Sequence, residues 1–257
     1  MRFASLGSGS AGNALLVEVG RTAVMLDCGF SVKETVARLA RLKVEPEQVA
    51  GIIVTHEHDD HASGVFKFAA KYNTPIWLTY GTLKMAGRYL PSQHYLKINV
   101  VDSHSPFQID GIQVSPFPVP HDAREPMQCV FSDGQRRLGV LTDVGRSTTH
   151  IETQLSGCAA LVLECNHDAN MLQTGPYAWS LKKRVGGDLG HLENGASASL
   201  LAKLDNQYLQ HVVAAHLSAK NNTPALAQAA LANVLSCRTD SIKVADQLLG
   251  FDWLTIS

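Results

Sequence analysis

Six consecutive residues, His56-Glu57-His58-Asp59-Asp60-His61, can each bind a metal ion or a proton, and they follow closely on the apolar run Ile52-Ile53-Val54. Four of them carry the chemistry: His56, His58, Asp60 and His61. Extended backbone puts His56 and His58 on one side, and a turn into a helix starting near Ala62 brings Asp60 and His61 round to face them. Imidazole nitrogens and a carboxylate at that spacing suit zinc, manganese or iron. A solvated acidic loop with incidental histidines would explain one histidine, but poorly explains three histidines and two aspartates in six residues. The pattern is not the helical His-Glu-x-x-His of metalloproteases.

The run Ile52 to Val54 is too short for a core helix and rich in β-branched residues, so it reads as a buried strand. The cluster then lies where a strand ends, the usual place for a site in a layered α/β fold. Other strands end on reactive residues too. Arg137 to Leu141 leads to Asp143, Ala159 to Glu164 leads to Glu164-Cys165-Asn166-His167-Asp168, and the strand from His211 ends at His216. His121 follows a strand over Ile112 to Pro116 in the loop Pro118-Val119-Pro120, although a lone histidine is more often structural. At the start, Arg2 to Leu6, Ser8-Gly9-Ser10-Ala11-Gly12-Asn13 and Ala14 to Val19 read as strand, glycine loop, strand. By itself that loop is most simply a hairpin turn. Ala23 to Asp27, Pro75 to Thr79 and Tyr95 to Val101 are further strands. Helices are expected over Ser31 to Leu42, where Ser31 and Glu34 form a capping box, and over Ala62 to Lys71, Gly81 to Tyr89 and Ala225 to Leu235, the last capped by Thr223 before Pro224. A further helical pattern carries Leu200, Leu201 and Leu204, and the basic run Lys182-Lys183-Arg184 would in most proteins be a solvated face.

A chain of 257 residues with 45% hydrophobic and 18% charged content is ordinary for a soluble globular protein with a large core. One domain over residues 1–257 is the expectation. A formal net charge of −1 neither advertises nor excludes a nucleic-acid substrate. With no signal-peptide pattern and no apolar stretch near 18 residues, a cytoplasmic location and no membrane partner are expected. Five cysteines without Cys-x-x-Cys spacing suit reduced thiols.

Thr55-His56-Glu57-His58-Asp59-Asp60-His61 resembles the His-x-His-x-Asp-His signature of the metallo-β-lactamase superfamily. The resemblance implies an α/β four-layer αββα sandwich with a two-metal site at one sheet edge, and the order of strands and helices is compatible with that. It implies that His121 is the third-motif ligand, that Asp143 in Thr142-Asp143-Val144-Gly145 bridges two ions, and that His216 in Ala215-His216-Leu217-Ser218 is the last ligand. Asp27 in Asp27-Cys28-Gly29 would support the metal loop without binding metal. An aspartate at 143 argues against a true zinc β-lactamase. Leu6-Gly7-Ser8-Gly9-Ser10 is similar to the opening of ribonuclease Z, and Gly190-His191 to its Gly-His-Ser-Thr segment, whose histidine lies by the scissile phosphate. Ser8, Ser10, Asn13, His167 and Asn221 are accordingly candidates for substrate contact, with a capping or supporting role for His167 equally open. The ending from Ile242 to Ile256 reads as two strands broken at Gly250 that close the second sheet.

These motifs together, with Asn221-Asn222, resemble the YycJ/VicX-like branch of bacterial metallo-β-lactamase-fold hydrolases, which implies a phosphodiesterase, with 5′ to 3′ DNA exonuclease as the activity attributed to the branch. His216 lies 73 residues beyond Asp143, too close to admit a β-CASP cap domain, and the tRNA-holding arm of ribonuclease Z is missing. The implied cofactor is a pair of divalent ions, zinc or manganese with iron as a third option. One is held by His56, His58 and His121, the other by Asp60, His61 and His216, with Asp143 and a hydroxide between them. Asp60 would double as proton acceptor, and His191 would stabilise the phosphorane charge or protonate the leaving oxygen. Nucleic acid, DNA before RNA, is the expected substrate. Two rivals stand beside this: a small-molecule hydrolase acting on a thioester, lactone or cyclic nucleotide, and a sensor that only binds. Oligomeric state is left open.

Overall fold

The computed structural model describes residues 1–91 and 95–257. A first sheet begins with β1 (Arg2–Gly7), β2 (Ala14–Val19), β3 (Thr22–Leu26), β4 (Val49–Ile53), β5 (Ile76–Thr79) and β6 (Ile98–Val101). The second holds β7 (Phe107–Ile109), β8 (Ile112–Pro118), β9 (Met127–Ser132), β10 (Arg137–Leu141), β11 (Ala160–Glu164), β12 (His211–Ala215) and β13 (Lys243–Val244). The last strand, β14 (Phe251–Thr255), returns to pair antiparallel with β1. The orders are therefore β14-β1-β2-β3-β4-β5-β6 and β13-β12-β11-β10-β9-β8-β7. This corrects the expectation for the final segment: β13 joins the second sheet but β14 closes the first. The turn at Gly250 has φ +60, and a Cβ there would meet the Ser5 carbonyl at 2.0 Å, so the chain crosses between sheets at a point only glycine fits.

Helices α1 (Val32–Arg41), α2 (Asp59–Ala62), α3 (Val65–Tyr72) and α4 (Tyr80–Ala86) follow strands of the first sheet. Those of the second half are α5 (Thr149–Leu155), α6 (Ala169–Thr174), α7 (Trp179–Val185), α8 (Asn194–Lys203) and α9 (Pro224–Leu235). Three apolar layers hold them. Phe3, Val17, Ile112, Phe131 and Val162 pack between the sheets. Leu39, Phe66, Phe68 and Ile76 fill the space beneath the first set of helices, and Leu155, Leu161, Leu200 and Leu231 do so beneath the second. This is the αββα sandwich. No helix among the described residues is long and apolar enough to cross a membrane.

Local chemistry aligns the strand ends. Ser31 accepts from the Glu34 N–H at 3.3 Å, but the Glu34 carboxylate turns to Arg38 at 2.8 Å, so the reciprocal half of the expected capping box is not made. Arg38 and Arg41, in the last turn of α1, instead donate to the carbonyls of Leu6 and Ser5 at 2.6 and 2.8 Å, fixing the end of β1. The single helix expected from Ala62 to Lys71 is two, broken at Gly64, whose Cβ would lie 1.9 Å from the Phe30 carbonyl. β3 and β4 run parallel, as do β10, β11 and β12. Their carboxyl ends therefore emerge on one edge, where ligands bind in such sheets.

Gly29 presses on that edge from beneath: a Cβ added to it would meet the Asp60 carbonyl at 1.8 Å. Gly29→Ala should displace the loop after β4 and destabilise the protein by about 1–3 kcal/mol, the usual cost of forced overpacking. Thermal unfolding together with bound-metal analysis checks this, and wild-type values for both would show that the contact relaxes harmlessly.

Candidate metal centre

Two sets of donors converge at the strand ends. In the first, His56 Nε2 lies 3.0 Å from His58 Nδ1, which lies 3.3 Å from His121 Nε2. In the second, Asp60 Oδ2 is 3.5 Å from both His61 Nε2 and His216 Nε2. Asp143 stands between them: Oδ2 is 3.1 Å from His61, while Oδ1 is 3.6 Å from His216 and 3.9 Å from His121. The loop after β4 brings His56, His58, Asp60 and His61. β8, β10 and β12 of the other sheet deliver His121, Asp143 and His216. The centre is thus shared by both sheets.

The donors fit a cation better than they fit each other. A proton can join one pair of imidazole nitrogens, not three that face a common point. Tetrahedral zinc with bonds of about 2.0–2.1 Å spaces its ligands about 3.3 Å apart, close to the separations observed. Buried His216 Nε2 and Asp143 Oδ2 have no hydrogen-bond partner among the described residues, although His61 Nε2 comes within 3.1 Å of Asp143 Oδ2. Orphaned buried polar atoms are costly, and a divalent ion would satisfy them.

Outer groups fix which nitrogen each ring offers. Asp27 accepts from the Thr55 N–H at 2.8 Å and, through Oδ2, from His61 Nδ1 at 2.8 Å, so it braces the loop, as the Asp-x-Gly resemblance implied. The Gly190 carbonyl holds His121 Nδ1 at 3.1 Å, and Glu164 holds His216 Nδ1 at 3.2 Å. Three of these residues end their strands in the left-handed region: Asp27, Asp143 and His216, with φ of 62, 54 and 55. Aspartate and histidine tolerate that region better than most residues.

Charge follows the same plan. Burial, then repulsion from His61, keeps the His56 pKa well below the ordinary imidazole value, leaving a neutral ligand. Burial opposes ionisation of Asp60 and Asp143, but His61 and His216 hold both carboxyls low. Burial likewise disfavours the His216 cation, yet Asp143, Asp60 and Glu164 push it up to about 10. With the His216 pKa raised, metal binding there would be accompanied by proton release.

A cleft of about 390 Å³ opens above the centre, bordered by Ser10, Arg88, Tyr177 and His191. His191, 23% exposed, donates from Nδ1 to Glu164 at 2.8 Å, and its ring lies 5.2 Å from that of His216. Burial opposes its charging, but Glu164 and Asp143 together raise its pKa. Among the residues expected at the substrate, Ser10 lines the cleft. The others lie behind or beside it. Ser8 Oγ accepts from the His216 N–H at 3.0 Å, Asn13 bridges Gly9 and the Asp60 loop, and Asn221 is wholly buried. His167, 3% exposed, borders a neighbouring groove and not the metal cleft. The sequence marks Glu164 only as part of a reactive strand end and gives it no role; it binds His191, His216 and the N–H groups of Val144 and Leu192. The signal was present, since it ends a buried strand as Asp27 and Asp143 do.

The profile of the beta-lactamase superfamily domain matches residues 22–216. The exodeoxyribonuclease YycJ of Bacillus anthracis is 34% identical over 238 residues, covering 91% of this chain and 89% of that protein. The exodeoxyribonuclease WalJ of Streptococcus pneumoniae is 30% identical, covering 91% and 88%. Among solved structures, the metallo-beta-lactamase fold protein YhfI of Bacillus subtilis superposes with a TM-score of 0.75 at 16% identity over 98% of each chain, a likeness of fold.

Asp143→Asn should cut the metal content to half that of the wild type or less while far-UV circular dichroism stays the same, because it removes the charge facing both donor sets. Elemental analysis of the desalted protein measures this, and full retention would rule out a shared ligand.

Proposed function

Because the chain belongs to the beta-lactamase superfamily, we propose that it is a phosphodiesterase that cleaves nucleic acid, DNA before RNA, using two divalent ions, zinc or manganese. The observation that carries this is the pairing of two donor sets around Asp143 with His191 on the wall of the cleft above them. Two relatives that align over nine-tenths of this chain and bear exodeoxyribonuclease names support a DNA strand as the substrate. We take the chain to act as one domain without a cap, in the cytoplasm, where its free cysteines stay reduced.

Two such ions, if held by His56, His58 and His121 and by Asp60, His61 and His216, would supply an acidified water and neutralise phosphate charge. The protein's own groups do the rest. Asp60, held ionised and with its side chain 21% exposed, is placed to accept the proton of the attacking water. His191 rests Nδ1 on Glu164 and presents its exposed edge to the cleft. Its raised pKa favours the protonated ring, which can give a proton to the leaving oxygen or stabilise charge on the phosphoryl group. Glu164, whose carboxyl His191 and His216 hold down to about 2 against the effect of burial, keeps that ring oriented.

His191→Ala should retain metal and fold but lower kcat on DNA by roughly 10² to 10⁴. The loss should shrink on bis-p-nitrophenyl phosphate, whose leaving group needs no proton. Unimpaired turnover of DNA would refute the role. Turnover of a thioester alone, in parallel assays of wild-type protein with manganese, would instead favour the small-molecule rival.

A further inference from the structure

A second depression adjoins the metal cleft and takes no part in the chemistry above. It has a volume of about 860 Å³ and is walled by Trp179, Lys182 and Lys183 of α7, with Leu172 of α6 and Ala196 of α8 opposite. His191 lines both this groove and the cleft, so the two meet at the residue assigned to the leaving group.

The groove carries two features together. Trp179 is 75% exposed, so a large aromatic surface is open to solvent at the groove. Two cations accompany it: Lys183 Nζ lies over one face of the indole, 5.5 Å from its centroid, and Lys182 Nζ meets the Gln173 carbonyl at 2.7 Å. Neither lysine is paired with a carboxylate among the described residues. Glu193, an acid that lines the groove, caps α8 through Oε1, which accepts from the N–H groups of Gly195 and Ala196. Arg184, the third member of the basic run, is turned away to Asp122 at 2.6 Å. An exposed π-face flanked by unpaired cations matches a stacked base with its phosphates, a sequence-tolerant mode of single-strand binding.

We propose that this groove holds the single-stranded segment flanking the scissile phosphate, with one base stacked on Trp179 and neighbouring phosphates against Lys182 and Lys183. The assignment rests on the phosphodiesterase reading and names where the strand runs. It gives the basic run a role beyond solvation.

The test uses the metal-loaded full chain and a fluorescein-labelled phosphorothioate oligothymidylate, which resists cleavage, with affinity read by anisotropy. Trp179→Ala should weaken binding about 5- to 100-fold, the range for loss of one base stack, and Trp179→Phe should fall between it and wild type. The Lys182→Ala/Lys183→Ala double variant should flatten the plot of log Kd against log salt by about 1.4, two phosphate contacts on a single strand. Turnover of bis-p-nitrophenyl phosphate should stay within twofold of wild type in all three, because none of the changed groups touches the metal centre. Wild-type oligonucleotide affinity in both Trp179→Ala and the lysine double variant overturns the proposal and leaves the groove to a protein partner. A wild-type protein that cleaves neither the small diester nor DNA defeats the functional reading separately, while anisotropy on the uncleavable strand still decides the groove.

Discussion

Three imidazole nitrogens face a common point with successive separations of 3.0 and 3.3 Å, in a place where side chains exclude most water. Such groups cannot satisfy one another with hydrogen bonds alone, and only a rigid surround keeps them from turning apart. The rest of the molecule can be understood as that surround. Asp27 and Thr55 tie the loop after β4 to β3, Gly29 lets the backbone of the neighbouring loop lie directly against Asp60, and Ser8 holds the backbone of His216. The apolar layer between the sheets then brings His121, Asp143 and His216 to the other half of the centre.

Much of the fold was legible because its signals are local. Buried strands such as β4 and β11 are short apolar runs, the second closed by Glu164, and α9 begins at a threonine cap followed by proline. β9 was missed because Gln128 interrupts the run; that side chain is buried and donates to the Thr142 carbonyl at 2.7 Å, a partner no neighbouring residue reveals. The final strand was recognised as a strand but assigned to the wrong sheet. Its partner β1 lies almost the whole chain away, and periodicity carries no information about such pairing.

The site divided along the same line. His56, His58, Asp60 and His61 sit within six residues, so their convergence could be read directly. His121, Asp143, His191 and His216 are ordinary residues by spacing and stood out through family resemblance. Residue type alone could not say on which side of a strand end a side chain would fall. Thus Asn13, polar and close to the centre, holds the backbone behind it and Asn221 is buried away from the cleft, while Glu164 and not His167 hydrogen-bonds the histidines. Each such choice depends on which way the chain turns after the last strand residue, and that turn is set by tertiary packing.

The left-handed turns at Asp27, Asp143 and His216 have a thermodynamic meaning of their own. A residue other than glycine held in that region costs of order 1–3 kcal/mol, and the cost recurs three times in one small volume. Local conformational preference and the requirements of the centre therefore pull in opposite directions at the carboxyl ends of β3, β10 and β12. A lineage that lost its need for the chemistry would be free to accept glycine or asparagine at these points and relax the backbone. Relief of strain at these three points would thus stabilise the scaffold at the direct expense of the active edge.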